Sequence, residues 1–305
     1  MKGPSISAEG VNQISNKIKR QAVFQQLKAR KAKESNQARK QRQKQRRDNP
    51  DVVLDVPAQR TQDNTREADD TIVEVGDEEI EAENAIDEFS AYFAKQAPPK
   101  IAITTCRKPT SRSFSFIGDL LQVIPNSSFY KRRGFEVKTI VEQAIEKGFT
   151  DLIILNEDRK DLNGLLLIHL PGGPTAHFKL TNVQLNADIS GHGVMTNHQP
   201  ELILNNFTTR LGNRMGRMLA ALFDPRPEFR GRCVVTFHNQ RDFVFFRQHR
   251  YMFDDQGRCV DLQELGPRFT LKLKSLQHGT FDTTGGEYEW KHRPEMDTSR
   301  RRFFL

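Results

Sequence analysis

One strand sequence occurs twice in this chain, and it limits the possible folds more than any other feature. Gly173–Gln184 reads GPTAHFKLTNVQ and Gly266–Gln277, 93 residues later, reads GPRFTLKLKSLQ, so five of twelve positions are identical without a gap. Apolar and polar residues alternate in both copies, which is typical of a strand with one buried face. Both copies break the alternation at the same place, at Val183 and Leu276. A strand repeated together with its irregularity predicts a duplicated half-domain.

The segments before the two copies follow the same order. In the first half, periodicity predicts helices at Ser111–Ile124 and Glu136–Lys147, and strands at Lys100–Thr105, Ser128–Lys131, Asp151–Asn156 and Gly164–Leu170. In the second half, it predicts a helix at Asn213–Phe223 and strands at Glu201–Phe207, Arg232–His238 and Phe243–Phe253. Nothing in the second half matches the helix Glu136–Lys147. We expect an α/β fold in which two similar halves, about 99–190 and 200–281, form one pseudo-symmetric domain.

The N-terminal extension, residues 1–34, predicts a basic amphipathic helix from about Val11 to Lys33. Such a helix could lie on a membrane surface, on a partner protein or on RNA, or it could be a solvated helix packed on its own domain. The residues expected to bind RNA or a partner are Lys17, Lys19, Arg20, Phe24, Lys28, Arg30 and Lys31.

A charged linker, residues 35–98, is expected to be mostly disordered. It begins with the basic block Arg39–Arg47, which could serve nuclear import, bind a nucleic-acid backbone or be an inert tail. It continues with Glu67–Glu88, which holds eleven acids and no Lys or Arg. Like charges with little apolar material cannot offset the entropy lost on ordering, so this stretch is expected to stay flexible. It could also screen the basic block until RNA displaces it.

The charge balance favours a polyanionic partner. The chain has a net charge of +8 and a pI of about 9.4, and residues 99–305 carry 30 basic and 22 acidic groups, which accounts for all of the excess. Its three cysteines form no C-x-x-C pair, which argues against a disulfide framework and a cysteine zinc site and favours a reducing compartment. No apolar run approaches the 18 residues of a membrane span, and the N-terminus does not read as a secretory signal.

The sequence contains no recognisable catalytic signature. The motifs G-x-x-x-x-G-K-[ST], H-E-x-x-H and G-x-S-x-G are all absent. His238 and His249 flank a predicted hairpin, but a catalytic zinc site needs three protein ligands and no spaced cluster is present. We therefore expect no catalytic residues, no metal, no cofactor and no small-molecule substrate.

Two sets of cations are candidate RNA contacts. The first set lies on two neighbouring strands: Arg247, Arg268, Lys272 and Lys274 are expected to point outward as a row of cations. Arg250 belongs to the same set and lies in FFRQHRY beside Tyr251, and Tyr251 or an exposed Phe could stack on a base. The second set lies in the strand-to-helix loops, where helix amides and arginines form a phosphate seat, and it comprises Arg107, Lys108, Arg112, Arg210, Arg214 and Arg217. The alternatives are an ordinary solvated sheet face and arginines that only solvate loops.

Three stretches of the sequence resemble a known family. The stretches TTCRKPTSRS, FHNQRDFVFFRQHRYMF and QELGPRFTLKLKSLQHGTF look like the Brix domain of ribosome assembly factors, over about residues 99–290. The resemblance implies two similar α/β halves, each like an anticodon-binding domain, followed here by a basic tail at 291–305. It also implies a nucleolar, non-enzymatic factor that binds ribosomal RNA in precursors of the large subunit. Several members work with a dedicated protein partner that wraps round the domain.

The individual contacts do not transfer with the resemblance, because they differ among family members. The arginines of FFRQHRY and GPRF could instead hold the two halves together as members of an ion pair. We expect a non-enzymatic ribosomal-RNA-binding assembly factor of the nucleus and nucleolus that works with other large-subunit assembly factors. The alternative is a protein-interaction scaffold whose dedicated partner supplies most RNA contacts.

Overall fold

The structure is a computed structural model, and it describes residues 16–48, 61, 63–67, 71–73, 76–94, 98–254, 259–282, 285–299 and 301–305. Two compact units can be distinguished, residues 1–61 and residues 62–305.

The first unit contains one long helix, α1, at Lys17–Asp48. Asn16 begins the helix because its side-chain oxygen accepts hydrogen bonds from the amides of Ile18 and Lys19, at 3.0 and 3.2 Å. Helix-forming residues continue well past the predicted end at Lys33, so the prediction of disorder is wrong for residues 35–48. The helix is not amphipathic over its full length, since its apolar side chains do not gather on one face. Residues 11–15 of the predicted helix lie outside the described residues.

In its described residues, the second unit is built on one eleven-stranded sheet, with five helices against it or at its edges. The helices are α2 (Glu78–Ile86), α3 (Ser90–Phe93), α4 (Ser111–Val123), α5 (Val137–Glu146) and α6 (Arg210–Ala220). The strands are β1 (Ile101–Thr105), β2 (Ser127–Phe129), β3 (Asp151–Asp158), β4 (Asp161–His169), β5 (Thr175–Gln184), β6 (Glu201–Asn205), β7 (Cys233–Gln240), β8 (Phe243–Phe253), β9 (Val260–Glu264), β10 (Arg268–Gln277) and β11 (Tyr288–Lys291). The prediction of an α/β fold is confirmed.

The two repeated strands, β5 and β10, lie side by side at the centre of the sheet. The main strand order is β2-β1-β3-β4-β5-β10-β8-β7-β6, with β9 added to β8 and β11 added to β10. The β1–β3 and β6–β7 pairs are parallel, whereas β3–β4–β5 and β10–β8–β7 run antiparallel. The register of β10 on β5 shifts between Leu273 and Ser275, and this shift returns Leu276 to the buried face.

The glycine of the repeated Gly-Pro pair has a steric reason. Gly173 has φ +95°, and a Cβ added to it would lie 2.3 Å from the carbonyl carbon of Gly279. Gly266 has φ +78°, and a Cβ there would lie 2.8 Å from the side-chain oxygen of Asn186. Both positions therefore combine a left-handed backbone with a close neighbour, which a residue with a side chain does not tolerate.

The sheet is covered unequally on its two faces. On one face, helices α4 and α6 pack against a large core that runs through both halves and includes Phe116, Phe178, Phe223 and Phe246. On the other face, helix α5 covers β1, β3 and β4 through a smaller cluster around Val141. Between α6 and β7 the described chain contains only a short 3-10 helix, Phe229–Gly231, so within the described residues no helix of the second half covers this second face along β5, β10 and β8 as α5 covers it in the first half. We call this surface the open face.

The acidic segment, residues 77–93, is folded, which contradicts the predicted disorder. Asp77 caps α2 by accepting from the amide of Glu79, and acids in the first helical turn suit the positive end of the helix dipole. Ile80 and Phe89 anchor the segment, and Phe89 is 0% exposed. The prediction of disorder considered only the like charges within the segment. Their counter-charges lie on α6, more than 120 residues later in the chain.

The tail after β11 returns to the second half of the sheet. Phe303 and Leu305 are buried. The carboxylate of Asp242, in the β7–β8 turn, accepts hydrogen bonds from the amides of Phe304 and Leu305, at 2.7 and 2.9 Å. Residues 301–305 therefore pack as part of the second unit.

Candidate nucleic-acid interface

Three lysines meet on the open face, and we call them the lysine patch: Lys179, Lys272 and Lys274. They project there because their neighbours in sequence, including Phe178, Leu271 and Leu273, point into the core. Lys179 on β5 and Lys272 on β10 stand directly opposite each other in the strand register, and Lys274 follows two residues along β10. Opposed side chains on paired strands have Cβ atoms about 5 Å apart, so these like charges repel.

The charges of the lysine patch perturb one another. Burial, then the charges of Lys272 and Lys179, lowers the pKa of Lys274. Burial and the charge of Lys274 lower the pKa of the neighbouring His177. One carboxylate contacts the patch, since Lys272 Nζ lies 3.4 Å from Asp297 Oδ1, and the same ammonium lies 5.2 Å from the ring centre of Phe243. Among the described residues, neither Lys179 nor Lys274 forms an ion pair, so the patch favours an added anion.

The arginines of the predicted cation row are already paired at the other end of the open face. Arg268 donates two hydrogen bonds of 2.5 Å to the carboxylate of Glu264, and this pairing raises the pKa of Arg268 and lowers that of Glu264. Arg247 donates to the carbonyl of Phe246 at 2.7 Å and lies 4.0 Å from the same Glu264. Arg250 donates to the carbonyl of Val194 at 2.7 Å. The predicted row therefore divides into structural arginines and the lysine patch.

The loop before α4 places Arg107, Lys108 and Arg112 on the surface, but the predicted phosphate seat at the helix start already holds a carboxylate. Glu157 Oε2 accepts from the amide of Thr110 at 2.9 Å and from the Ser113 hydroxyl at 2.5 Å. Burial opposes ionisation, yet these hydrogen bonds hold the pKa of Glu157 below its ordinary value.

Two of these loop arginines have partners of their own. Arg112 donates to the carbonyl of Val183 at 3.1 Å. The guanidinium of Arg107 lies 3.7 Å from the carboxylate of Glu136, and the side chains of Arg107 and Glu136 are both exposed. Lys108 is exposed. Glu157 lies in the β3–β4 hairpin, and strand pairing brings it beside the start of α4. An acid in this hairpin was the one sequence feature that could have predicted an occupied phosphate seat.

Helix α6 turns its predicted RNA-binding arginines toward the acidic segment. Arg210 pairs with Glu79, and Arg214 pairs with Glu88 and Glu289, at 3.2 and 2.7 Å. Arg217 forms two 2.6 Å hydrogen bonds with Asp87 and lies 4.1 Å from the ring centre of Phe93. Protein carboxylates therefore occupy the guanidinium groups of all three arginines, and we do not propose these residues as RNA contacts.

The cations predicted on the N-terminal helix all lie on α1 of the first unit. Their side chains are exposed or half-exposed, as are all others described in residues 16–41. Arg30 forms an ion pair of 2.9 Å with Glu34, one turn along the helix. The role predicted for Lys17, Lys19, Arg20, Phe24, Lys28, Arg30 and Lys31 stays a prediction.

The described residues contain no group of three or more His, Cys, Asp or Glu side chains with metal-binding geometry. Within the same residues, no helix is both long and apolar enough to span a membrane. Sequence reasoning did not include Lys179 or His177 among the site residues. Both residues lie on the outward face of the first repeated strand, β5. The pairing of β5 with β10 places that face beside the basic face of the second repeat, and this pairing is what could have identified them.

Comparison with known proteins identifies the family. A family model of the Brix domain matches residues 106–275. This chain belongs to the Brix domain family. It is 52% identical over 297 residues to ribosome production factor 1 of Pongo abelii, covering 97% of this chain and 85% of that protein. It is 44% identical over 298 residues to ribosome production factor 1 of Saccharomyces cerevisiae, covering 96% and 97%. A solved probable ribosomal biogenesis protein from Aeropyrum pernix K1 aligns with a TM-score of 0.42 and 16% identity, covering 57% of this chain and 96% of that one.

Proposed function

We propose that this chain acts in ribosome biogenesis as a non-enzymatic factor that binds ribosomal RNA of the large-subunit precursor through the lysine patch. One observation carries the RNA-binding part: three lysines crowd a sheet face that no described helix covers, and among the described residues only Asp297 forms an ion pair with them. The names of the Brix-domain relatives support the ribosome-assembly part.

A phosphate backbone supplies negative charge to the lysine patch, where three ammonium groups are paired with one carboxylate of the described residues. Each phosphate held by a lysine releases condensed counterions, so the binding constant falls with salt, with a slope of about −0.7 to −0.9 per contact. Three lysines therefore contribute about 2 to 3 to the slope of log K against log salt. Phe243, exposed beside Lys272, adds a ring on which a base can stack.

The arrangement of strands supports the finer description of the fold as two related halves. Both halves of the sheet show the same succession of strands toward the centre. In the first half, the parallel pair β1–β3 is followed by antiparallel β4 and then by the repeated strand β5. In the second half, the parallel pair β6–β7 is followed by antiparallel β8 and then by the repeated strand β10. We propose that β5 and β10 are the equivalent strands of two halves related by duplication. On this proposal α5 belongs to the first half alone, and its missing counterpart leaves the open face available to RNA.

The experiment measures binding of the full chain to a structured fragment of large-subunit ribosomal RNA over a range of salt. The test variant reverses the lysine patch: Lys179→Glu, Lys272→Glu and Lys274→Glu. The matched control makes the same charge change at Lys138, Lys160 and Arg230, which are exposed and form no ion pair with a described residue. We expect the test variant to lose affinity and about 2 to 3 from the salt slope relative to the control. Equal affinity and slope in the two variants would refute the role of the patch.

A second candidate function is the scaffold, in which a protein partner supplies most RNA contacts. The observation that favours it is a row of exposed apolar side chains at the end of the β8–β9 hairpin: Phe253, Val260 and Leu262. Strand register pairs Phe253 with Val260 and Tyr251 with Leu262, which places the three on one face of the hairpin, and an exposed apolar patch of this kind marks a site for another protein. If Phe253→Glu and Leu262→Glu abolish RNA association in cell extract but leave binding by the purified chain unchanged, the partner supplies those contacts. The nuclear and nucleolar location stays a prediction that fluorescence microscopy of the tagged chain can test.

A further inference from the structure

A pocket lined by aromatic and basic side chains lies at the edge of the sheet, between the end of β2 and helix α5. Its volume is about 380 Å³, within the range of pockets that hold small organic groups. Residues 129–135 form one wall, and Gln143 of α5 and Lys147, the C-cap of α5, contribute to another. None of the RNA contacts predicted from the sequence lies in this pocket.

The wall formed by residues 130–135 is held in place by its backbone. The amide of Tyr130 donates to the carbonyl of Ile103 at 2.9 Å, and the Thr104 hydroxyl donates to the carbonyl of Tyr130 at 2.8 Å. The amide of Phe135 donates to the carbonyl of Arg132 at 3.0 Å, and Arg132 Nε donates back to the carbonyl of Phe135 at 3.0 Å. The pocket is thus largely preformed, which limits the entropy lost when a ligand binds.

Two aromatic rings in this wall are exposed, Tyr130 at 44% and Phe135 at 48%. Tyr130 rests edge-on against the buried ring of Phe149, with centroids 5.6 Å apart, so its position is fixed. The ammonium of Lys147 lies 5.3 Å from the centre of the Tyr130 ring. Rigid rings of this kind are the surfaces on which unpaired bases stack in single-strand-binding proteins.

The charge around the pocket suits a polyanion. Its lining includes Lys131, Arg132, Arg133 and Lys147, and it includes no carboxylate among the described residues. Burial, then the charge of Arg107, lowers the pKa of Arg132, and the charge of Glu136 opposes this shift. Arg133 is exposed at a position with φ +49°, next to Gly134 at φ +86°, in the tight turn at the rim.

The pocket shares a face of the sheet with the lysine patch. Strand register places Ala102 beside Leu152, Ile154 beside Leu166, and Leu166 beside His177, and paired residues point to the same side. A neighbouring cavity of about 300 Å³ is lined by both Arg132 and His177. This cavity therefore connects the surroundings of the pocket with those of the lysine patch.

We propose that this pocket binds an unpaired nucleobase of a single-stranded RNA segment, stacked on Tyr130 and Phe135, with the flanking phosphates on Lys131, Arg132 and Arg133. Gln143 offers an amide donor and acceptor to the edge of the base. The inference rests on the proposed function, since RNA is the ligand in both, but it concerns a different site. A duplex cannot satisfy it, because paired bases are not free to enter the pocket.

The test uses the full chain and a short single-stranded RNA with one 2-aminopurine, whose fluorescence is quenched when the base stacks. We expect quenching with the unmodified chain. The variant Tyr130→Ala/Phe135→Ala should lose the quenching and bind the single strand roughly 10-fold or more weakly, while its binding to duplex RNA stays unchanged. Tyr130→Phe, which keeps the ring, should retain the quenching.

Phe229→Ala is the matched control, because Phe229 is also an exposed ring but lies far along the sheet beyond α6. Thermal melting of each variant establishes that it is folded. Full quenching and affinity in the Tyr130→Ala/Phe135→Ala variant would overturn the inference, as would loss of a protein partner with single-strand binding unchanged. If the chain binds RNA in a manner that depends on the lysine patch but never quenches 2-aminopurine, the inference fails and the proposed function stands. If it binds no RNA at low salt, both fail.

Discussion

Arg217→Ala should destabilise the second unit far more than removal of an arginine two turns earlier on the same helix. Arg217 donates two 2.6 Å hydrogen bonds to Asp87 and one of 2.8 Å to the carbonyl of Asn84. The Arg217 and Asp87 side chains are 13% and 9% exposed, so the alanine variant leaves a nearly buried carboxylate without its partner. Breaking a buried pair costs about 3–5 kcal/mol, and the residual exposure reduces our expectation to about 2–4 kcal/mol.

Arg210→Ala is the matched control. Arg210 pairs with Glu79 at side-chain exposures of 43% and 64%, and solvent screens a pair as exposed as this so that it contributes little to stability. The assay is urea denaturation of the full chain followed by the fluorescence of Trp290, the only tryptophan, which packs against the core and lies 5.9 Å from Phe304. The two arginines carry the same charge but differ in burial and contacts, since Arg217 also donates to the carbonyl of Asn84 and lies over the Phe93 ring, so the comparison sets a nearly buried network against an exposed pair.

A double-mutant cycle completes the measurement. The free-energy losses of Arg217→Ala, Asp87→Ala and the double variant should give a coupling energy of about 1.5–3 kcal/mol. A coupling below about 0.5 kcal/mol, or a loss for Arg217→Ala no larger than that for Arg210→Ala, would refute the view that the acidic segment is an integral part of the fold.

Three further predictions concern other parts of the fold. Phe89→Ala should lower the free energy of unfolding by about 3–5 kcal/mol, because the ring is fully buried; a loss under about 1 kcal/mol in urea denaturation would contradict this. Gly173→Ala should cost about 2–5 kcal/mol, since it adds a clash with Gly279 to a left-handed backbone, whereas Gly191→Ala, with φ +72° and open space, should cost about 1–2 kcal/mol in the same assay. Burial acts to lower the pKa of His169, but Asp151, 2.8 Å away, and Glu88 raise it above its ordinary value. The stabilisation from protonated His169 is therefore complete below the ordinary pKa of about 6.5 and is lost as the pH rises through the raised pKa. The stability difference between the unmodified chain and His169→Gln should therefore shrink with rising pH, and a difference constant from about pH 5.5 to 9 would exclude this.

Local signals predicted helices α4, α5 and α6 and strands β1 to β8 and β10, but they did not predict β9 or β11. Periodicity and a stop residue predicted helices at Ser111–Ile124 and Glu136–Lys147, and the structure has them at Ser111–Val123 and Val137–Glu146. The shared break in the repeat predicted an irregular strand, and β10 has its register shift two residues before Leu276. These features depend on neighbours within a few residues, which a sequence displays directly.

The failures depend on partners that are distant in the chain. The acidic segment was expected to be disordered because its own charges repel, yet Asp87 is neutralised by Arg217, 130 residues later. The phosphate seat before α4 was expected to be free, but Glu157 enters it from a hairpin 47 residues away. Pairing of β5 with β10 likewise adds Lys179 to a basic face that was predicted from β10 alone.

The central pairing of β5 with β10 also affects how the chain is synthesised. The residues that pair across it, such as Lys179 and Lys272, are separated by 93 positions. At about 5–20 residues per second, β5 waits roughly 5–20 s for its neighbour after it has been made. During that interval the first half has an unpaired strand edge with Phe178 and Leu180 uncovered on one side, and such an edge is a template for wrong pairing. The nascent chain should therefore need protection by chaperones at this stage more than at any other.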